Sequence, residues 1–144
     1  MSLANKKAMS LSDQFCVERH KNQFLDLVKN KLDIIFANEQ EIKSLINVKN
    51  FEEVVNFGRE LKKLLVITRG ADGSVAITAD EIVKCQSEKN LKIIDLTGAG
   101  DLFAAGFLHG HINSFSLKDC LLKGTEMSSR IIQKLGARLN YPIK

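Results

Sequence analysis

Tryptophan is absent, tyrosine and proline occur once each, and the three cysteines stand far apart at positions 16, 85 and 120. An odd number of cysteines without a Cys-x-x-Cys spacing argues against both a disulfide framework and a zinc site, and suits a reducing cytoplasmic setting. No apolar run approaches the roughly 18 residues that a membrane-spanning helix needs. Met1–Ser10 also lacks the apolar stretch of a secretory leader. The expectation is a cytoplasmic chain with no membrane partner. The shortage of aromatics, with lysines scattered and a net charge of only +4, also speaks against a nucleic-acid surface. The single proline, Pro142, falls in an expected tail, and no linker, repeat or low-complexity tract divides the chain.

What is present is ordinary globular material: 144 residues, 44% of them hydrophobic and 26% charged, enough for one domain with a real core. Lys7–Ser12 reads as a short strand, and Phe15, Val17, Phe24, Leu25, Leu27 and Val28 recur at near-helical spacing up to Asn30. The apolar run Leu32–Ala37 leads to a helix start at Asn38. An amphipathic segment spans Phe51–Lys63, and strands are expected at Leu64–Thr68, Ser74–Thr78 and Glu81–Cys85. Leu91–Ile94 reads as a further strand entering a glycine turn, with helices over Leu102–Ile112 and Leu117–Leu135. Strands alternating with helices predict an α/β fold, a layered, mainly parallel sheet with flanking helices; the short strands between 64 and 94 suggest an antiparallel edge.

The glycine turn carries the clearest chemistry. Residues 91–112 read LKIIDLTGAGDLFAAGFLHGHI, a strand, tight turn and helix. Gly98 and Gly100 free the backbone and clear the approach path, while the amides of the helix's first turn form an anion site at the positive end of its dipole. Asp101 beside such a site repels phosphate unless it has a task, and the task that fits is to take a proton from an attacking hydroxyl. The plainer reading is an Asp N-cap on a helix apolar nearly all round and hence buried. The turn is neither a Walker loop nor a GxGxxG fingerprint.

Two further stretches have both a plain and a functional reading. Asn38 with Glu41 three residues on makes a capping box. Thr68-Arg69-Gly70-Ala71-Asp72-Gly73 makes a turn between strands with glycines at positive φ, and Arg69 either adds charge there or faces solvent. His109 and His111, two apart on a helix, make a poor metal pair, and these, His20 and the core thiol Cys120 are expected to be structural or solvated.

The stretch DLTGAGDLFAAGFLHG resembles the D-T-x-G-A-G-D signature of the ribokinase-like (PfkB-type) carbohydrate and nucleoside kinases. The resemblance implies that the amides of Gly98, Ala99, Gly100 and Asp101 form the anion hole and that Asp101 is the catalytic base. It further implies that Asp95 organises a monovalent-cation site such as one for K+. Leu96 departs from the pattern, removing a threonine hydroxyl. Asn38 and Glu41 match the family's N-x-x-E motif, which acts on Mg2+ and phosphate, and Thr68 and Gly70 match its T-x-G, which approaches the phosphates of ATP. The flanks SLSDQFCVERH and LKGTEMSSRIIQKLGARL look most like the adenosine-kinase-like branch.

The expected activity is ATP- and Mg2+-dependent transfer of the γ-phosphoryl group to a nucleoside or sugar hydroxyl, adenosine- or ribose-type. The alternative is a non-catalytic nucleotide-binding or interaction remnant of such a kinase. Family members are considerably longer. Residues 1–144 are therefore expected to be the C-terminal ATP-binding and catalytic half, a single domain without the substrate and lid half. Such a chain is expected to be weakly active or inactive alone and to pair with a second copy or with the missing half.

Overall fold

A computed structural model describes residues 5–139; Pro142 lies outside them. Contacts divide the chain into two compact units, Met1–Arg69 with Val75–Val83, and Gly70–Ser74 with Lys84–Lys144.

The first unit holds most of a sheet with strand order β1-β2-β3-β4-β5, comprising β1 (Ala8–Ser10), β2 (Ile34–Asn38), β3 (Leu64–Thr68), β4 (Ser74–Ile77) and β5 (Ile82–Cys85). β1 pairs β2, and β2 pairs β3, in parallel. Parallel neighbours need a crossover of about a dozen residues or more, so the short links after β3 and β4 make these two connections antiparallel. The mixed sheet is the one expected. Alternation along β2 and β3 assigns Ile35, Ala37, Leu65 and Ile67 to one buried cluster, while Ile34, Phe36, Leu64 and Val66 on the other face are buried too. Burial on both faces is why these strands read as unbroken apolar runs.

Helices α1 (Gln14–Arg19), α2 (Lys21–Asp26, continued by a π turn over Leu27–Lys31), α3 (Glu39–Ile46) and α4 (Phe51–Leu61) complete this unit. The helical stretch expected up to Asn30 is broken at His20, whose backbone (φ −121°, ψ 34°) leaves the helical region. α3 and α4 each start at an asparagine, Asn38 or Asn50, engaged in a reciprocal capping box, and each ends on a left-handed residue, Asn47 or Lys62.

The second unit is dominated by α5 (Ala99–Ile112) packed on α6 (Leu117–Ile132). Their backbones approach closely: a β-carbon at Gly106 would stand 2.6 Å from the Lys123 carbonyl oxygen, and one at Gly124 would stand 2.8 Å from that of Phe103. Cys120 is buried, as expected of a core thiol.

Three expectations need correction. Leu91–Ile94 is not a strand: the Ile94 and Asp95 amides donate to the Ile132 carbonyl at 2.8 and 3.2 Å, so the segment pairs with the end of α6 and not with a strand. Ile93 and Ile94 are accordingly exposed. α5 is not buried all round, since Phe103, Gly106, Phe107 and Gly110 form one buried stripe at helical spacing while Ile112 is 77% exposed. α6 stops at Ile132, short of Leu135.

Gly58 of α4 packs against the sheet so closely that an added β-carbon would lie 2.7 Å from Ile77 Cγ2 and 3.2 Å from Leu65 Cδ2. Gly58→Ala is expected to lower stability by about 1–3 kcal/mol through overpacking. Gly100→Ala, with nothing within 4 Å of the new methyl, is expected to leave stability unchanged or raise it by up to about 1 kcal/mol. Urea unfolding followed by circular dichroism checks both.

Candidate functional site

In the first unit, Asn38 stands opposite Thr68 in the parallel register, and each is the last residue of its strand. The two sequence motifs thus meet at the carboxyl ends of adjacent strands, where open α/β sheets bind ligands.

Asn38 and Glu41 hold each other tightly. The Glu41 amide donates to Asn38 Oδ1 at 2.8 Å, the Asn38 amide donates to Glu41 Oε2 at 2.9 Å, and Asn38 Nδ2 donates to Glu41 Oε1 at 3.0 Å. Glu41 is only 6% exposed. Burial pushes its carboxyl above the ordinary range; the Asn38 amide opposes this and the negative charge of Asp13 adds to it.

The chain offers a built-in comparison. Asn50 and Glu53 repeat the N-x-x-E spacing and also form a capping box, with the Glu53 amide on Asn50 Oδ1 at 3.0 Å and the Asn50 amide on Glu53 Oε2 at 3.4 Å. Both residues are exposed, and Asn50 follows a loop. Spacing alone does not separate the two motifs; position at a strand end and burial of the carboxylate do.

Glu39, the first of the two residues between Asn38 and Glu41, accepts from Lys43 Nζ at 2.6 Å and Arg69 Nε at 2.8 Å, and these cations, Arg69 foremost, hold its carboxyl below the ordinary range. The Arg69 guanidinium also lies over the Phe51 ring, 3.8 Å from its centroid. Arg69 therefore neither faces solvent nor offers its charge freely. Nothing in the sequence marks its partnership with Glu39, because the two are thirty residues apart.

Gly70, in the second unit, takes φ +56° and opens a 3-10 turn over Gly70–Asp72, and Gly73 follows at φ +87°. Positive φ at both glycines is as expected of this turn. Ser87 Oγ fastens the turn by donating to the Ala71 carbonyl at 2.7 Å.

The glycine turn is shaped differently from the Asp-cap reading. Gly98, at φ +79°, is the N-cap of α5, and Asp101 lies in the helix's first turn, exposed and making no cap bond. The Ala99 amide donates to the Leu96 carbonyl at 3.2 Å. The Gly100 and Asp101 amides, early in the helix, have no such partner among the described residues, and the space above Gly100 is open.

Asp95 locks this turn. Its Oδ1 accepts from the Thr97 amide at 2.9 Å and Thr97 Oγ1 at 2.6 Å, and its Oδ2 accepts from the Gly136 amide at 3.0 Å. Those bonds, Thr97 first, hold its carboxyl below the ordinary carboxylate range. A β-carbon at Gly98 would stand 2.9 Å from Ala137 Cβ, so the same loop after α6 also packs on the turn. Leu96 projects outward, 66% exposed.

His109 and His111 pack on Phe115 and Phe107, which fits the structural role expected of them. Among the described residues no cluster of three or more His, Cys, Asp or Glu is poised to cage a metal, and no helix is long and apolar enough to cross a membrane.

The model of the pfkB family carbohydrate kinases matches residues 2–144. The chain belongs to the pfkB family. Within it, the sequence is 32% identical over 122 residues to a nucleoside kinase of Methanocaldococcus jannaschii, covering 85% of this chain and 39% of that protein. Adenosine kinase 1 of Arabidopsis thaliana is 31% identical, with 98% of this chain and 45% of the relative covered. Among solved structures, the adenosine kinase from Sinorhizobium meliloti superposes with a TM-score of 0.90 at 36% identity, over 94% of this chain and 42% of that one. The chain thus spans less than half the length of these relatives. These likenesses bear out the ribokinase-like fold and the nucleoside-kinase resemblance.

Two predictions follow from the paired N-x-x-E motifs. Asn38→Ala removes the Nδ2 donor to Oε1 of a buried carboxylate and the Oδ1 acceptor of the Glu41 amide, while the backbone amide stays on Oε2. It is expected to cost about 2–3 kcal/mol, against about 1 kcal/mol for Asn50→Ala at an exposed cap; denaturant unfolding distinguishes them. Because the Glu41 carboxyl is raised above its ordinary value of 4.5, its contribution to stability is present below that value and is lost as pH rises through its raised value. Glu41→Gln should remove this fall, measured as the pH dependence of unfolding from mildly acid to neutral conditions.

Proposed function

We propose that residues 1–144 act as the ATP-handling and catalytic portion of a pfkB-family phosphotransferase, moving the γ-phosphoryl group of ATP to a hydroxyl of a nucleoside or sugar. One observation carries the reading. In the first turn of α5, the amides of Gly100 and Asp101 are open beneath a side-chain-free approach, and the exposed Asp101 carboxylate is not used as a helix cap. A developing phosphate charge and the proton of an attacking hydroxyl are what such a turn serves.

Asp101 takes the hydroxyl proton as the acceptor oxygen bonds to the γ-phosphorus; the bond from that phosphorus to the bridging oxygen breaks, and ADP leaves. Gly98 and Gly100 keep side chains away from the phosphate, with the Gly98, Ala99, Gly100 and Asp101 backbone forming the hole; the Ala99 amide must share its bond to Leu96. Thr68 and Gly70 are assigned to the nucleotide's phosphates. A magnesium ion arriving with the nucleotide would neutralise phosphate charge. Asn38 and Glu41 would hold it through water, which suits a single carboxylate outside any protein cage. A K+ ion at Asp95 fits poorly, because that carboxylate is already bonded to three donors, and no step is drawn through it.

The acceptor class rests on the nucleoside and adenosine kinases among the relatives. The same proposal covers action in the cytoplasm, and pairing with a second copy or with a substrate-binding half along the open edge of β1. A non-catalytic nucleotide-binding remnant is the second reading, favoured by Leu96, which leaves the turn without one hydroxyl.

The test is ADP release from ATP by the chain, alone and co-expressed with any segment encoded upstream, against a panel of nucleosides and sugars. Asp101→Asn should cut turnover by about 10²–10⁴-fold and leave ATP affinity within about twofold. Acceptor-independent ADP release in every combination, or turnover indifferent to Asp101, would contradict the proposal.

A further inference from the structure

Beyond the motif residues, we infer that Arg69 is a positioning residue that couples the T-x-G strand end to the start of the N-x-x-E helix. The inference rests on reading those two motifs as phosphate-facing. Asn38 and Thr68 are register partners at the ends of β2 and β3, and the chain then diverges, with Asn38 leading into α3 and Thr68 into a turn. Strand pairing ends at that point, so it cannot hold the next residues together. The very next residue on each side supplies the missing link: Glu39 follows Asn38, Arg69 follows Thr68, and their side chains meet at 2.8 Å.

The link is held from several directions. Lys43, one turn along α3, takes the other oxygen of Glu39 at 2.6 Å, fixing that carboxylate to its own helix. Phe51, the first residue of α4, lies under the Arg69 guanidinium at 3.8 Å. Arg69 and Glu39 side chains are about one-fifth exposed, at 22% and 20%, so the pair is sheltered from much of the screening that weakens surface ion pairs. A planar guanidinium stacks on a ring face and donates sideways at once; a lysine ammonium has no such plane.

The consequence is that motion of the Thr68 strand end is transmitted to the Asn38–Glu41 box through one guanidinium. Arg69 therefore shapes phosphate binding without contacting the nucleotide.

The deciding experiment is amide hydrogen exchange on the ligand-free full chain, comparing wild type with Arg69→Gln, Glu39→Gln, the double variant and Arg69→Lys. Either single glutamine variant should speed exchange at both 38–41 and 68–70 by about tenfold or more, as expected for loss of a local tether. The double variant should add little to either single one, and Arg69→Lys should recover only part of the protection. Acceleration confined to one of the two segments, or additive effects in the double variant, would overturn the inference. MgATP titration separates it from the functional reading. If wild type fails to bind MgATP, the functional reading fails while the exchange data still decide the coupling. If wild type binds, Arg69→Gln should weaken binding by about fivefold or more, within the usual range for coupling between sites, with Arg69→Lys intermediate. Unchanged affinity would show that Arg69 positions nothing that the nucleotide uses.

Discussion

The parallel register of β2 and β3 is the constraint on which the first unit's chemistry depends. Because Ile34 pairs with Leu64, four further steps bring Asn38 opposite Thr68, and two motifs thirty residues apart in sequence become neighbours. A slip of β2 by one residue against β3 would turn Ile35 and Ala37 away from Leu65 and Ile67 and out of the buried cluster. The core therefore enforces the alignment of the polar strand ends. The same pairing brings Glu39 within reach of Arg69, where the strands part.

In the second unit, the corresponding role falls to Asp95. One carboxylate gathers the Thr97 amide, the Thr97 hydroxyl and the Gly136 amide, tying the approach to α5 to the loop after α6. The turn it secures is then free to be built from residues that secure nothing themselves. Gly98 accepts a left-handed backbone against Ala137, and Gly100 faces open space. Fixed amides cost no reorganisation when charge develops beside them, which is why a rigid turn suits phosphoryl transfer.

Much of this was legible in the sequence, and the exceptions have physical causes. The apolar runs at 32–37 and 64–68 announced strands because both their faces are buried, and Asn38 announced a helix start through its capping partner Glu41. Leu91–Ile94 has the composition of a strand but finds a carbonyl of α6 where a ladder would be required. The apolar character of α5 suggested burial all round, yet only a stripe containing two glycines is covered, because close backbone approach and not side-chain bulk makes that contact. Asp101 looked like a possible cap because aspartate is among the residue types that cap helices best; Gly98 takes the cap position instead, by its left-handed backbone. Glu39, which Arg69 holds, and Gly136, which Asp95 holds, lie thirty and forty-one residues away, beyond anything local spacing encodes.

The central claim is that the start of α5 receives the phosphates of a nucleotide. The most direct measurement is a titration of the isotope-labelled chain with MgATP, following the backbone amide resonances of Gly98, Ala99, Gly100 and Asp101. The account predicts saturable shifts at these amides with MgATP, retained in a chain carrying Asp101→Asn, and little change with adenosine alone. Amides that stay in place as MgATP binds, or that respond equally to adenosine, would contradict it.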